Sequence, residues 1–506
     1  MTSSPIHTAG VIGVGTMGAG IAQILAIAGI RTCLYDAREG AATAAVASIE
    51  KQLQHLLAKG KITQQDCAAA VGQLQPVAQL TELADCDVVV EAIVEDLAIK
   101  QNLFRELEDV VDKTCVLATN TSSLSVTAVA ATCRHPERVA GWHFFNPVPL
   151  LRVAEIVDGA ATSPEVSNLL ERVTQACGHE ALRTKDMPGF IVNHAGRAFL
   201  PEGLRLLAEQ VAAAVDIDRV LVDCAGFKMG PFALMDTVGL DVAQKVVDSL
   251  YRQYFEEPRF KSSPVVASRV AAGLLGRKSG RGFYQYEEGR AVIPPEHSPE
   301  SPETLLPSLW IWNEEADLSQ TLREALINAG ADVETGDCPS ASALIVVTPV
   351  GSDVSTTCAL HGFPPERTVG VDMLFATERR RTIMAPPGLG GPALAAARYW
   401  LSKGVERGTV IADSPGFIAQ RMVAQIINIG CDIAQMGIAT PQAIDRAVCK
   451  ALGYPLGPFA WGDALGGARV LQITEALHSA YQEPRYRPSI WLRRRAQLGL
   501  SLSQAC

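Results

Sequence analysis

The sequence predicts an α/β domain with a parallel sheet, then an all-α domain, then a truncated α/β domain and a second all-α domain. Three observations predict this order. Strand-like apolar runs alternate with helical patterns through about residue 185, a Gly-rich turn follows the first run, and segments of the second half echo segments of the first.

Residues 10–27 read GVIGVGTMGAGIAQILAI: a β-branched strand, a turn with Gly13, Gly15 and Gly18 in G-x-G-x-x-G spacing, and an alanine-rich helical pattern. Gly13 permits the tight turn, Gly15 lets a pyrophosphate approach the backbone, and Gly18 lets helix pack on strand. The helix N-terminus supplies amide dipoles for phosphates. The strand TCLYD then ends at Asp36, 18 residues past Gly18, near the roughly 20 expected of an acid that binds a ribose hydroxyl. Its carboxylate favours NAD, and Arg38 two residues later pulls toward NADP. These features predict a Rossmann-type NAD-binding domain, assigned to residues 1–185.

The runs DVVVEAIVED at 87–96 and CVLATNTSSL at 115–124 are the next predicted strands. Ligands bind beyond the carboxyl ends of parallel strands, so Glu91, Glu95, Lys100 and the Asn120–Ser123 cluster are expected to face the cofactor crevice. Ser122 and Ser123 read equally well as caps of the following helix. The helical stretch EKQLQHLLAKGK carries a basic edge of Lys51, Lys59 and Lys61, which suits a polyphosphate or a solvated face.

The bulk composition fits this reading. The 506 residues, 48% hydrophobic and 19% charged, suffice for about three or four domains. No apolar run approaches the roughly 20 residues that span a bilayer, and the start MTSSPIHTAGVIGVG has no signal-peptide pattern, so a cytoplasmic protein without membrane contact is expected. A net charge of −10 argues against nucleic acid. The twelve cysteines form no C-x-x-C pair and read as buried thiols, with no metal site. Arg493–Arg495 is a basic cluster best read as a solvated helix face.

The second half is read as a partial duplicate. DMPGFIVN from Asp186 returns as DSPGFIAQ from Asp413, and GPFALMD at 230–236 as GPFAWGD at 457–463, both shifted by 227 residues. The helical domain 186–286 is thus repeated at 406–506. Between them, after a Pro-rich linker at 287–308 expected to be extended and exposed, residues 309–405 leave room for only about half a Rossmann unit. IVVTPVGSDV and PERTVGVDMLF there echo VLATNTSSLSV and PERVAGWHFF near a shift of 229.

ATNTSSL at 118–124, GWHFFNPVP at 141–149, LRVAEIV at 151–157 and DMPGFIVNH at 186–194 together resemble the L-3-hydroxyacyl-CoA dehydrogenase family, in its order and spacing through about residue 285. The resemblance implies NAD-dependent oxidation of (S)-3-hydroxyacyl-CoA to the 3-oxo ester. His143 is implied as general base and Glu155 as the carboxylate that orients it. Ser122 and Asn193 are implied to bind the reacting oxygen. Glu95, Lys100, Asn146 and Lys278 are implied around the cofactor, and Lys59, with Ser122, at the coenzyme A ester. Such chemistry suits these residue types, because a histidine titrates near the working pH and a carboxylate on its second nitrogen fixes the tautomer.

On the repeat register Ser122 becomes Gly351, His143 becomes Asp372, Glu155 becomes Met384 and Asn193 becomes Gln420, so the second copy is expected to be inert. Long, duplicated members resemble 3-hydroxybutyryl-CoA and 3-hydroxyadipyl-CoA dehydrogenases of fatty-acid or aromatic-acid (phenylacetate) catabolism. A hydroxy-acid dehydrogenase that does not use coenzyme A and a non-catalytic structural relative are the alternatives. Arg152, Arg197 and Arg205 are candidates for a distal carboxylate, with surface positions the commoner reading. A homo-oligomer stays open, since the second helical domain either replaces a dimer partner or adds to one.

Overall fold

The computed structural model describes residues 6–296, 306–312 and 314–504. The chain forms two compact units, one of the residues through His194 with Met436–Leu452, the other of Ala195–Gln435 with the residues from Gly453 onward.

The first unit is built on an eight-stranded sheet. Its strands are β1 (Thr8–Ile12), β2 (Arg31–Tyr35), β3 (Leu74–Pro76), β4 (Val88–Glu91), β5 (Val116–Thr119), β6 (Val139–Phe144), β7 (Val153–Asp158) and β8 (Glu180–Lys185). They lie in the order β3-β2-β1-β4-β5-β6-β7-β8. All pairs are parallel except β6 with β7. The order reverses between β1 and β4, which is where a doubly wound sheet opens its ligand crevice. Helices cover both faces: Ile21, Leu25, Ile49, Leu53 and Leu170 pack on one side, Phe104, Leu107 and Val129 on the other. This is the predicted Rossmann-type architecture. The predicted strands 87–96 and 115–124 are shorter than expected: β4 ends at Glu91, whose carboxylate accepts from the Ile93 amide and turns the chain there, and β5 ends at Thr119, just before Asn120.

The second unit begins with helices Phe199–Ala208, Ala214–Ala225, Pro231–Val238, Leu240–Gln253 and Pro264–Ala271. The predicted linker is not wholly extended. Its first residues form a hairpin of β9 (Gln285–Glu287) and β10 (Arg290–Val292), turned at Glu288 and Gly289, both with positive φ. Residues 297–305 of the linker lie outside the described residues.

A five-stranded sheet follows: β11 (Leu309–Ile311), β12 (Leu344–Val347), β13 (Thr368–Asp372), β14 (Arg380–Ala385) and β15 (Arg407–Ala412). Its order and pairing sense repeat those of β4–β8, with the only antiparallel pair again third. Among the described residues nothing corresponds to β1–β3 or the glycine turn.

The pairing corrects two positions of the repeat register. Asp186 accepts from the amides of Val126 and Thr127, and Asp413 from those of Val354 and Ser355; Ser122 therefore aligns with Val350, not Gly351. His143 pairs with Glu155 across β6 and β7, whereas Asp372 pairs with Thr382; Glu155 therefore aligns with Thr382, not Met384. The causes are two changes of connection length that the sequence echoes do not reveal: one extra residue between the start of helix Val354–His361 and β13, and two fewer between Asp372 and its partner on β14.

Helix Ala419–Gln435 is continuous where the first half has two pieces, Val192–Ala195 and Phe199–Ala208. Pro201 lacks the amide that would bond the carbonyl of Arg197, and its ring crowds that turn. Two surface expectations also change. Cys338 is exposed rather than buried. Arg495 is buried, its guanidinium 3.3 Å from the Trp491 ring centre and bonded to the Gln504 carbonyl.

Candidate active site

The glycine turn connects β1 to helix Thr16–Ile27 in the first unit. Gly13 has φ +84°, and a Cβ there would lie 2.7 Å from the Ala92 carbonyl oxygen. A Cβ on Gly18 would lie 1.8 Å from the Gly13 oxygen, while one on Gly15 would meet nothing within 4 Å. Two glycines are thus needed by the protein itself, and the third leaves an open face at the helix N-terminus. A cavity of about 680 Å³ opens there, lined by Gly13, Gly15, Asp36, Arg38, Ile93 and Leu103 among others. Asp36 Oδ2 accepts from the Val14 amide at 3.1 Å, tying the tip of β2 to the turn. Its carboxyl is held down to about 2, chiefly by the Arg38 side chain bonded to it.

Beyond β4 and β5 lies a buried polar chain. Lys100 is 1% exposed, with Nζ 2.5 Å from Glu91 Oε1 and 3.2 Å from Glu95 Oε2. Glu91 also accepts from the Thr119 hydroxyl and the Ile93 amide. Glu95 Oε1 accepts from the Thr121 and Ser123 hydroxyls and the Ser122 and Ser123 amides, at 2.6–3.0 Å. Burial pushes the Glu95 carboxyl up, but Lys100 and these donors outweigh it and keep it below the usual range. Lys100 lies beneath Glu95 rather than facing an open crevice, and together they hold the loop that carries Ser122. That loop's helix is capped by Ser125, which accepts from the Ala128 amide, and not by Ser122 or Ser123.

His143 and Glu155 face each other because β6 and β7 pair them directly, and opposed residues of an antiparallel pair share a face. His143 Nδ1 lies 2.6 Å from Glu155 Oε2, with His143 4% and Glu155 0% exposed. Glu155 Oε1 accepts from the amides of Ile191 and Val192, both at 2.9 Å. The PGF turn makes this possible: Gly189 at φ +77° and Phe190 at φ +48° point successive amides at the carboxylate. Asn193, one residue further, donates to the Ser122 carbonyl at 3.4 Å.

The structure therefore brings together His143, Glu155, Ser122 and Asn193, with Glu95 and Lys100 behind them. Asn146 is exposed on the loop after β6, and Lys59 is exposed at the end of helix Ala41–Ala58. Lys278 belongs to the other unit, where Nζ is 2.5 Å from Asp241. Arg197, expected at the surface, is 5% exposed, and Arg205 is bonded to Glu483. Glu91 and Thr121 received no individual role from sequence, and Asp186 none at all. Asp186, which anchors Ser125, Val126 and Thr127, could have been found from the acid that heads both PGF motifs.

In the second sheet, the aligned positions hold Val350, Asp372, Thr382 and Gln420. Gln420 Nε2 donates to Asp372 at 3.0 Å, and Val350 packs against Ile473, Leu477 and Tyr486. No histidine–carboxylate pair occupies these positions.

Comparison with known proteins gives the same picture. The model for the NAD binding domain of 3-hydroxyacyl-CoA dehydrogenase matches residues 8–187. The model for that enzyme's C-terminal domain matches both 189–286 and 416–503. The chain is 38% identical to 3-hydroxyadipyl-CoA dehydrogenase of Escherichia coli K12, over 97% of this chain and 98% of that protein. It superposes on the crystal structure of 3-hydroxybutyryl-CoA dehydrogenase from E. coli K12 with a TM-score of 0.86 at 36% identity, covering 98% and 99% of the two chains. The 3-hydroxybutyryl-CoA dehydrogenase of Mycobacterium tuberculosis H37Rv, 38% identical, is matched in full by 56% of this chain. Among the described residues no helix is long and apolar enough to cross a membrane. The chain belongs to the 3-hydroxyacyl-CoA dehydrogenase family, with an NAD-binding domain at its amino-terminal end.

Proposed function

We propose that the protein oxidises (S)-3-hydroxyacyl-CoA to 3-oxoacyl-CoA with NAD, using His143 as the base. The observation that carries this is the buried His143–Glu155 pair, set in the same unit as the glycine turn and Asp36. Glu155 keeps the proton on His143 Nδ1, so Nε2 presents a lone pair to the substrate hydroxyl. The amides of Ile191 and Val192 hold Glu155 in place, and its charge stabilises the imidazolium that forms. Ser122 and Asn193 serve as neutral donors that favour the oxygen as it loses its proton. Glu95 and Lys100 act through the Ser122 loop. Bound NAD supplies the hydride acceptor. The open face at Gly15, the helix N-terminus and Asp36 suit its pyrophosphate and ribose, and Asn146 and Lys278 complete the expected cofactor set. Lys59 offers a positive charge to the phosphates of coenzyme A.

The names of the relatives point to 3-hydroxyadipyl-CoA or 3-hydroxybutyryl-CoA as substrate; a place in fatty-acid or phenylacetate-type catabolism is our own reading of the resemblance. We read the chain as domains 1–185, 186–286, 309–405 and 406–506, joined by the segment 287–308. The last two are a degenerate duplicate, supported by one C-terminal-domain model matching twice and by the repeated strand pairing. NADH formation with both thioesters tests the reading. Turnover by the wild type and its loss in His143→Ala are expected. No turnover with either ester despite NAD binding would overturn it.

A further inference from the structure

We propose that His179 is a positioning residue for the cofactor side of the site, acting through the loop of residues 145–151, which it holds by the Val148 carbonyl. The inference rests on the proposed NAD reading and deepens it. That loop leaves the carboxyl end of β6 directly after His143 and Phe144, on the side of the sheet where ligands bind. Two of its side chains belong to the site. The Phe145 ring stands edge-on to the His143 ring, centres 4.6 Å apart, and Asn146 is the residue expected at the nicotinamide.

His179 comes immediately before β8 and is 5% exposed. Its Nε2 is 2.9 Å from the Val148 carbonyl oxygen, and its Nδ1 is 3.0 Å from that of Cys177. Both partners can only accept, so the ring serves them as a donor, a neutral ring to one of them and a protonated ring to both. In the sheet β7 separates β8 from β6, so the Nε2 contact fixes the loop against a strand that β6 itself does not touch. Val148 is pinned on its other side as well. It is buried, and a Cβ on Gly20 of helix Thr16–Ile27 would lie 2.8 Å from Val148 Cβ, so its side chain sits directly on the helix that starts at the glycine turn. The rest of the loop turns on itself, with the amides of Leu150 and Leu151 both donating to the Pro147 carbonyl at 3.0 Å. Without the His179 donor the Val148 carbonyl is left buried and unbonded, which costs more than the bond contributes. The loop relieves that cost by turning this carbonyl toward water, and the turn carries Asn146, two residues earlier, out of place.

The test is calorimetric titration of the full chain with NADH and with ADP-ribose, which lacks only the nicotinamide; neither titration requires turnover. His179→Leu is expected to weaken NADH binding about five-fold or more and to leave ADP-ribose within about two-fold of the wild type. His179→Gln, which keeps an N–H at similar reach, is expected to bind both ligands within about two-fold of the wild type. Added to Asn146→Ala, His179→Leu is expected to weaken NADH less than about two-fold further, because the two changes act at one contact. Equal losses for NADH and ADP-ribose would mean that His179 supports the domain at large, and would overturn the proposal. Unchanged NADH affinity in His179→Leu, no rescue by His179→Gln, or a full additional loss in the double variant would overturn it too. If His179→Leu does not fold, His179→Ser, whose smaller side chain admits water, is measured in its place. Failure of the wild type to bind either ligand overturns the NAD reading itself, and this proposal with it.

Discussion

His143 and Asp372 occupy equivalent strand ends and show what neighbours do to a residue. His143 has a carboxylate on Nδ1, and Glu155→Gln would place an amide there. If the new amide donates to Nδ1, the proton moves to Nε2 and the base is lost. A kcat loss of about 10²–10⁴-fold is expected, with binding of NAD to the free enzyme unchanged by calorimetry; a loss under about ten-fold would refute the role. Among the described residues no cation is bonded to Asp372. Burial pushes its carboxyl up to about 6, partly offset by Gln420 and the amides of Phe375 and Leu374. A folded pKa above the unfolded value means the folded state holds the proton longer, so stability falls as pH rises from about 4 to 6 and stays reduced above. Among the described residues Oδ1 takes the donors and Oδ2 takes none, so Asp372→Asn fits the site. The variant should be more stable by about 1–3 kcal/mol at pH 8 and equal to the wild type near pH 4 in urea unfolding. Equal stability at both pH values would show that Asp372 ionises freely.

Elements differ in how far a sequence discloses them. The strand, glycine turn and helix of residues 8–27 were legible because their chemistry is local: φ +84° at Gly13 and the 1.8 Å approach at Gly18 are demands that only glycine meets. Gly18→Ala is accordingly expected to displace the helix start and abolish measurable NAD binding, checked by calorimetry on protein whose circular dichroism is retained. The pairing of His143 with Glu155 was legible only through resemblance, since nothing local says that β7 runs antiparallel to β6. The alignment of Ser122 with Val350 and Glu155 with Thr382 was not legible. It depends on the lengths of connections, which strand pairing reveals and sequence echoes do not. Lys100 was expected to face the crevice because it follows a strand end, but one turn into a helix its side chain points back under Glu91 and Glu95. Asp186 shows a cap acting across distance: it bonds three groups at the start of helix Val126–Ala130. Asp186→Ala should cost about 1–2 kcal/mol and, by loosening the Ser122 loop, raise KM more than it changes NAD affinity.

At the scale of the molecule, the second unit joins its two sets of helices through a buried charge cluster that composition could not reveal. Glu202, 0% exposed, accepts from Arg421 and from the Tyr486 hydroxyl on Oε1, and from Arg485 at 2.6 Å on Oε2. Arg421 also bonds Glu209 and the Tyr481 hydroxyl. Burial pushes the Glu202 carboxyl up, but Arg421 and Arg485 overcome it and hold it at about 2. The folded pKa is below the unfolded value, so this contribution is complete above about pH 5 and is lost as pH falls toward 2. Glu202→Leu strands Arg485, 2% exposed and with no second carboxylate among its described partners. A loss of about 3–5 kcal/mol is expected, because an uncompensated buried charge costs more than the pair contributes. Glu202→Leu/Arg485→Met removes the stranded charge as well and should recover a large part of that loss, a coupling readable from denaturant midpoints of the four proteins. Additive losses, or a single variant within about 0.5 kcal/mol of the wild type, would mean that apolar packing alone joins the two helical sets.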